Sequence, residues 1–124
     1  LWLGSIAPEL RKIFDIVREA HDRATEAVRP GIKAHDVDRV AREVIRKAGY
    51  GERFNHALGH GLGLVAHEIP RVGKGTQTRL EPGMVITIEP GIYLPGLGGV
   101  RLEDDVLVTE TGYEVLSTLP VQLS

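Results

Sequence analysis

Cysteine is absent from the 124 residues, and several other features that would point to particular partners are scarce. The lack of cysteine excludes disulfide bonds and thiolate metal sites, and it fits the cytoplasm, which is the compartment we expect. No apolar run approaches the roughly 20 residues that a membrane-spanning helix needs. A formal net charge of −2 and an aromatic content of 5% offer neither a basic surface nor stacking platforms for nucleic acid. We therefore expect no membrane and no nucleic-acid partner.

Two common catalytic or nucleotide motifs are also missing. The stretch "GKGT" at 73–76 lacks the earlier glycine of a P-loop, because Glu68 stands where that glycine would be. No G-x-S-x-G sequence marks a serine nucleophile of the hydrolase type. These absences direct attention to histidine and the carboxylates.

The front of the chain predicts two amphipathic helices. Pro8 and Glu9 suit a first helical turn, and apolar residues then recur at steps of three and four until the breaker "RPG" at 29–31. The same period returns from Val37 to Ala48, where a glycine provides a stop. The charged residues of this second helix are expected to form a solvent-exposed face: Arg39, Arg42, Glu43, Arg46 and Lys47.

The back of the chain is richer in glycine and has the alternating pattern of strands. Residues 84–89 and 100–109 alternate apolar and polar side chains, and the turn-rich stretch 90–99 links them, which predicts an antiparallel hairpin. A turn at 110–113 and a further short strand, "YEVLS", follow. Helices followed by an antiparallel sheet predict an α+β fold in a single domain over residues 1–124.

Histidine is concentrated in the stretch "NHALGHGLGLVAHE". His56, His60 and His67 are three of the five histidines and lie among several glycines. The glycines argue against a helix and favour a loop or bulged strand whose backbone can approach a ligand closely. The pattern leaves hydrogen-bonded structural histidines and a binding site about equally open.

Two glutamates are candidates to complete such a site. Glu89 ends a strand that is otherwise apolar or β-branched, and its neighbour on the same face is Thr87 rather than a cation. A carboxylate there is costly unless it is paired or bound to a metal. If the hairpin pairs as expected, Glu89 and Glu103 can face one pocket. One histidine and two carboxylates suit Mn, Co, Fe or Zn.

The acidic run Glu103-Asp104-Asp105 needs an offsetting charge, because three neighbouring carboxylates in a strand repel one another. Arg101 lies on the same strand face as Glu103 and is the local candidate. The alternative is an ordinary surface ion pair at the open end of the hairpin.

Three stretches together resemble the catalytic domain of the pita-bread metallopeptidases. They are "GHGLGLVAHEIP", "LEPGMVITIEPGIY" and "VRLEDDVLVTETGYEVL", in the order the family has them, and "PGIKAHDVDRVAREVIRKAGYGERF" is also similar. The family includes Xaa-Pro aminopeptidases, prolidases, methionine aminopeptidases and creatinase. "AHEIP" and "RLEDD" resemble the Xaa-Pro branch.

The resemblance implies a set of metal ligands. His60, Glu89 and Glu103 would bind two divalent ions, Mn or Co foremost and Zn or Fe as alternatives. Glu103 would bridge the two ions, and Glu89 would also act as general acid/base.

The resemblance also assigns residues on the substrate side. His67 would contact the substrate or stabilise the tetrahedral intermediate, and His56 would line the pocket and take part in catalysis. Arg101 would hold Glu103 or a substrate carboxylate.

Two further ligands implied by the resemblance are aspartates from a hairpin upstream of the first helix. No aspartate precedes Asp15, which falls within that helix. We therefore expect the chain to be the C-terminal portion of a partial pita-bread fold, lacking the N-terminal half that a complete site needs and inactive alone. The full protein would be a homodimer that uses a metal-bridging hydroxide to hydrolyse the bond before a proline at the second position. The alternatives are a non-catalytic peptide- or protein-binding module of this fold and a methionine aminopeptidase.

Overall fold

The computed structural model describes residues 7–62, 70–118 and 122–123. Helix α1 spans Pro8–Ala27 and helix α2 spans Ala34–Lys47, and a 3₁₀ turn follows at Gly51–Arg53. Both helices agree with the sequence prediction. Within the described ranges, neither helix combines the length and the apolar character that crossing a membrane requires.

Each helix begins and ends for a reason visible in its sequence. Pro8 occupies the first turn of α1, where its missing N–H removes no helical hydrogen bond. Helix α2 ends before Gly49, whose φ of 96° is unfavourable for other residues and whose N–H donates to the Arg46 carbonyl at 2.9 Å. Helix α1 packs against α2 and against the sheet region. The central residues of both apolar stripes are fully buried: Ile13, Val17, Ala20, Val37, Ala41 and Ile45.

The strands are short and pair in antiparallel fashion. A two-stranded ladder joins β1 to β2, a second sheet has the order β3-β6-β7, and a third has the order β4-β5-β8. The strand bounds are β1 Gly59–His60, β2 Arg71–Val72, β3 Val85–Ile88, β4 Gly91–Leu94, β5 Gly98–Arg101, β6 Asp104–Val108, β7 Tyr113–Thr118 and β8 Gln122–Leu123.

The predicted hairpin is present, but the interpretation of residues 90–99 as a mere link was wrong. That stretch contains β4 and the start of β5, and the connecting turn is confined to 95–97. The register is continuous along the whole hairpin: Ile88 pairs with Asp104, and Gly91 pairs with Arg101 three residues further along each strand. Between these pairs the ladder is interrupted near Pro90, whose carbonyl accepts a bond from the Leu102 N–H at 3.3 Å.

The backbone at Gly59 lies directly against β3. A Cβ at residue 59 would overlap the carbonyl oxygen of Thr87 and lie 2.7 Å from its hydroxyl oxygen. The neighbouring Leu58 carbonyl accepts a hydrogen bond from the Glu89 N–H at 2.8 Å, and Gly61 forms a bridge with Ile86. Glycine is therefore required at 59 for steric reasons rather than for an unusual φ.

The acidic run at 103–105 does not lie wholly at the surface. Asp104 is only 6% exposed, and its Oδ2 lies 2.8 Å from Nε2 of the equally buried His21 on α1. Among the described residues, neither His21 Nε2 nor Asp104 Oδ1 makes a hydrogen bond of good geometry, so the pair is defined by its short distance. The other ring nitrogen of His21 lies 3.0 Å from the exposed Asp22. The buried side chain that contacts Asp104 thus comes from helix α1.

Substituting alanine for Gly59 should destabilise the fold, because the added methyl group meets the backbone of β3 and not a flexible side chain. We expect a loss of about 1–3 kcal/mol in the free energy of unfolding, measured by urea denaturation. Gly112→Ala is the control, since its Cβ meets nothing within 4 Å. Equal stability of the two variants would contradict the close approach.

Removing the imidazole of His21 should leave Asp104 buried without its partner. We expect His21→Leu to lower the free energy of unfolding by about 3–5 kcal/mol, and His21→Leu combined with Asp104→Leu to recover much of that loss. Asp22→Asn, which alters only an exposed contact, should change it by no more than about 1 kcal/mol. Thermal or urea unfolding of the four proteins tests the pair, and a His21→Leu variant as stable as Asp22→Asn would refute it.

Candidate metal and substrate site

His60 lies at the end of β1 and is fixed at two points. Its backbone N–H donates to Thr87 Oγ1 at 3.0 Å, and its Nδ1 lies 3.0 Å from the Gly61 carbonyl oxygen. Because a carbonyl oxygen only accepts, the neutral form of the ring carries its proton on Nδ1 and a lone pair on Nε2. The side chain is 55% exposed, so this nitrogen is open to a ligand.

Glu89 places its carboxylate beside that lone pair. Its Oε2 accepts the Thr87 hydroxyl at 2.7 Å and lies 3.5 Å from His60 Nε2, while the side chain is only 16% exposed. In that form of the ring, His60 Nε2 and Glu89 Oε2 face each other as two ligands of one cation would. Such a pair is matched by a cation between them.

Glu103 lies one residue beyond the Ile88–Asp104 pair, as Glu89 does on the opposite strand. Its Oε1 is 3.7 Å from Nη2 of Arg101, so the local counter-charge that the sequence suggested is present. Among the residues the structure describes, no three histidine, aspartate or glutamate side chains are grouped closely enough to hold a metal ion. Of the three predicted ligands, the geometry thus joins His60 to Glu89 and sets Glu103 on the facing arm of the hairpin, between β5 and β6.

His56 contacts a residue that the sequence did not single out. Its Nδ1 donates to the Ala57 carbonyl at 2.7 Å, and its Nε2 accepts the hydroxyl of Tyr93 at 2.8 Å. The ring also meets Phe54 edge-on, with centroids 5.0 Å apart. Tyr93 was missed because an aromatic residue on a half-buried strand is usually a packing residue.

Tyr93 connects two of the three substrate-side candidates, His56 and Arg101. Burial raises the pKa of its phenol, and the charge of Glu89 adds to that rise, whereas a hydrogen bond with Arg101 and its positive charge oppose it. A raised pKa favours the protonated hydroxyl, which is the form that can donate to His56. Tyr93 also lies on the wall of an open cleft of about 400 Å³ between the 3₁₀ turn and the 95–97 turn.

The loop that carries His56 is fastened to α2 by a buried ion pair. Asp38 is 1% exposed and accepts two hydrogen bonds of 2.9 Å from Arg42. The placing of Arg42 on a solvent-exposed face was wrong, because its guanidinium turns inward and only 28% of the side chain is exposed. The i, i+4 spacing of an acid and an arginine on an amphipathic helix was the available signal.

Arg71 is a second residue that sequence reasoning missed. It pairs with His60 in the β1–β2 ladder, and cross-strand partners project from the same face. Its guanidinium makes a 3.4 Å contact with the Lys74 carbonyl and is otherwise exposed. The remaining predicted residue, His67, lies outside the described residues.

Comparison with known proteins places this geometry in context. Residues 1–110 match the sequence model of Metallopeptidase family M24. The Xaa-Pro dipeptidase of Pyrococcus furiosus is 54% identical over 115 residues, which are 93% of this chain and 33% of that protein. An uncharacterized peptidase of Staphylococcus haemolyticus is 54% identical over 114 residues, 92% of this chain and 32% of that protein.

Solved structures agree with the sequence relatives. The prolidase from Pyrococcus furiosus superposes with a TM-score of 0.89 at 52% identity, covering 97% of this chain and 36% of that one. The X-Pro aminopeptidase from Thermotoga maritima gives a TM-score of 0.86 at 45% identity, covering 94% and 33%. The chain spans about a third of the length of these relatives. The predicted α+β pita-bread fold is confirmed, and the chain belongs to metallopeptidase family M24.

Proposed function

We propose that this chain supplies part of the active site of a metal-dependent peptidase that cleaves the bond before proline. The observation that carries the proposal is the facing pair of acceptors, His60 Nε2 and Glu89 Oε2, 3.5 Å apart. The names of the relatives, Xaa-Pro dipeptidase and X-Pro aminopeptidase, support the substrate class.

The donors suit divalent ions such as Mn or Co, with Zn or Fe as alternatives. His60, Glu89 and Glu103 would hold them, and bound ions would polarise the scissile carbonyl and make water a better nucleophile. The resemblance implies two aspartate ligands besides, and the first aspartate here, Asp15, lies within α1. The proposal therefore needs donors beyond these 124 residues, and these residues alone are expected to be inactive.

Proton transfer and substrate binding are assigned to separate residues of this chain. Glu89, oriented by the Thr87 hydroxyl, accepts a proton from the attacking water and returns it to the leaving amine. His56 and Tyr93 present a paired imidazole and hydroxyl to the substrate, and His67 is proposed as a further hydrogen-bond donor to it.

Two arginines are available for the negative charge of a short peptide substrate. Arg101, beside Glu103, is the predicted partner for a substrate carboxylate. Arg71 shares a strand face with His60 and offers a second, more exposed guanidinium. A cytoplasmic homodimer remains our expectation for the full protein.

Chelation and ligand substitution test the proposal in the protein expressed from its complete coding sequence. We expect hydrolysis of an Xaa-Pro dipeptide that is abolished by chelator and restored by Mn²⁺ or Co²⁺. His60→Ala and Glu89→Gln should each lower kcat/KM by about 100-fold or more, since the effect should exceed the 10–100-fold of residues that only support a ligand. His35→Ala is the matched control, because His35 accepts the Gly75 N–H instead.

Each alternative function has a distinct outcome in the same experiment. Activity that is indifferent to chelator would refute the metal-dependent mechanism. Faster cleavage of a Met-Ala peptide than of an Xaa-Pro peptide would identify a methionine aminopeptidase. Peptide binding without hydrolysis in the presence of metal would identify a non-catalytic module.

A further inference from the structure

We propose that Asp38 and Arg42 form a positioning clamp for the metal site, with a role separate from holding α2 to the core. The clamp is defined here as these two side chains and their bonds to residues 54–58. The inference rests on the proposed function, because the quantity that the clamp controls is the affinity for the divalent ion.

The clamp fastens three alternate residues of the loop through their backbone. Arg42 Nη1 donates to the Phe54 carbonyl at 3.0 Å, and Nη2 donates to the His56 carbonyl at 2.9 Å. Asp38 Oδ1 accepts the Leu58 N–H at 3.0 Å. The guanidinium also lies over the Phe54 ring, 4.2 Å from its centroid. One ion pair thus holds both carbonyl oxygens and an N–H group of the loop backbone.

A short path of hydrogen bonds leads from the clamp to the proposed ligands. Leu58, whose N–H is held by Asp38, accepts the Glu89 N–H through its own carbonyl at 2.8 Å. Two residues later, the His60 N–H bonds Thr87 Oγ1, and that hydroxyl in turn bonds Glu89 Oε2. A shift of the loop would therefore alter the separation of His60 Nε2 and Glu89 Oε2 directly. Residues that hold ligands in this way tune metal affinity.

The same helix provides a pair of the same chemistry that lacks this role. Arg46 makes two hydrogen bonds of 2.9 Å with Glu43, which lower the pKa of the Glu43 carboxyl, and both side chains are exposed. Within the described part of the chain, no hydrogen bond or ion pair joins that pair to residues 54–58, whereas Arg42 and Asp38 make three hydrogen bonds to them. Comparing the two arginines separates positioning from a general contribution of ion pairs on α2.

Arg42→Lys is the decisive substitution, because lysine keeps the charge but not the planar fork that reaches two carbonyls and a carboxylate together. In the protein expressed from its complete coding sequence, we expect Mn²⁺ to bind about 10–100-fold more weakly, by isothermal titration at a temperature where circular dichroism shows full folding. Arg46→Lys should bind Mn²⁺ as the unaltered protein does. In the Arg42→Lys variant, hydrogen exchange at the Leu58 and His60 amides should quicken together.

Several outcomes would overturn the proposal. A folded Arg42→Lys variant with unchanged Mn²⁺ affinity shows that the pair only stabilises the fold. If that variant does not fold, Asp38→Asn keeps an oxygen acceptor for the Leu58 N–H while removing the charge, and it should still weaken Mn²⁺ binding. In the unaltered protein, a Leu58 amide that exchanges as fast as an unprotected one would refute the clamp without any variant.

Failure of the clamp and failure of the proposed function give different results. If the unaltered protein binds no divalent ion, the proposed function fails. Hydrogen exchange at the Leu58 and His60 amides then still tests whether the clamp holds the loop. If the unaltered protein binds Mn²⁺ and loses it on His60→Ala but not on Arg42→Lys, only the clamp fails.

Discussion

The contact between Gly59 and Thr87 is the constraint on which the site depends. The loop can reach β3 only because residue 59 has no side chain, and at that distance His60 bonds the same hydroxyl that orients Glu89. Gly59 therefore serves to let the loop lie directly against β3, and not to make the loop flexible. The imidazole and the carboxylate are neighbours because two backbones touch.

Both helices act on the strands through buried carboxylates as well as through apolar packing. Helix α1 reaches the start of β6 through His21 and Asp104, and α2 reaches the histidine-bearing loop through Asp38 and Arg42. Burying a carboxylate is unfavourable unless a partner is fixed in place, so each contact specifies one arrangement where apolar packing would tolerate several. The helices therefore set the position of the site-bearing segments and not merely the size of the core.

The sequence predicts more of the fold than of the site's internal contacts. Apolar periodicity located α1, α2 and the hairpin, because burial of one face leaves a regular trace. No regular pattern in the sequence predicts the inward turn of Arg42 or the contact of Asp104 with His21, since each depends on a residue brought near only by folding. Glu89 was found because a carboxylate on a core-like strand is anomalous, while Tyr93 was missed because an aromatic residue there is ordinary.

The continuous register of the hairpin has a consequence for how such a protein can vary. Glu89 and Glu103 are aligned by pairs on both sides of the break at Pro90, while the turn at 95–97 lies at the far tip. Adding one residue to each arm near that tip would lengthen the wall of the cleft and leave the two carboxylates opposed. The length of the cleft wall and the alignment of Glu89 with Glu103 are thus separable properties of a single β-ribbon.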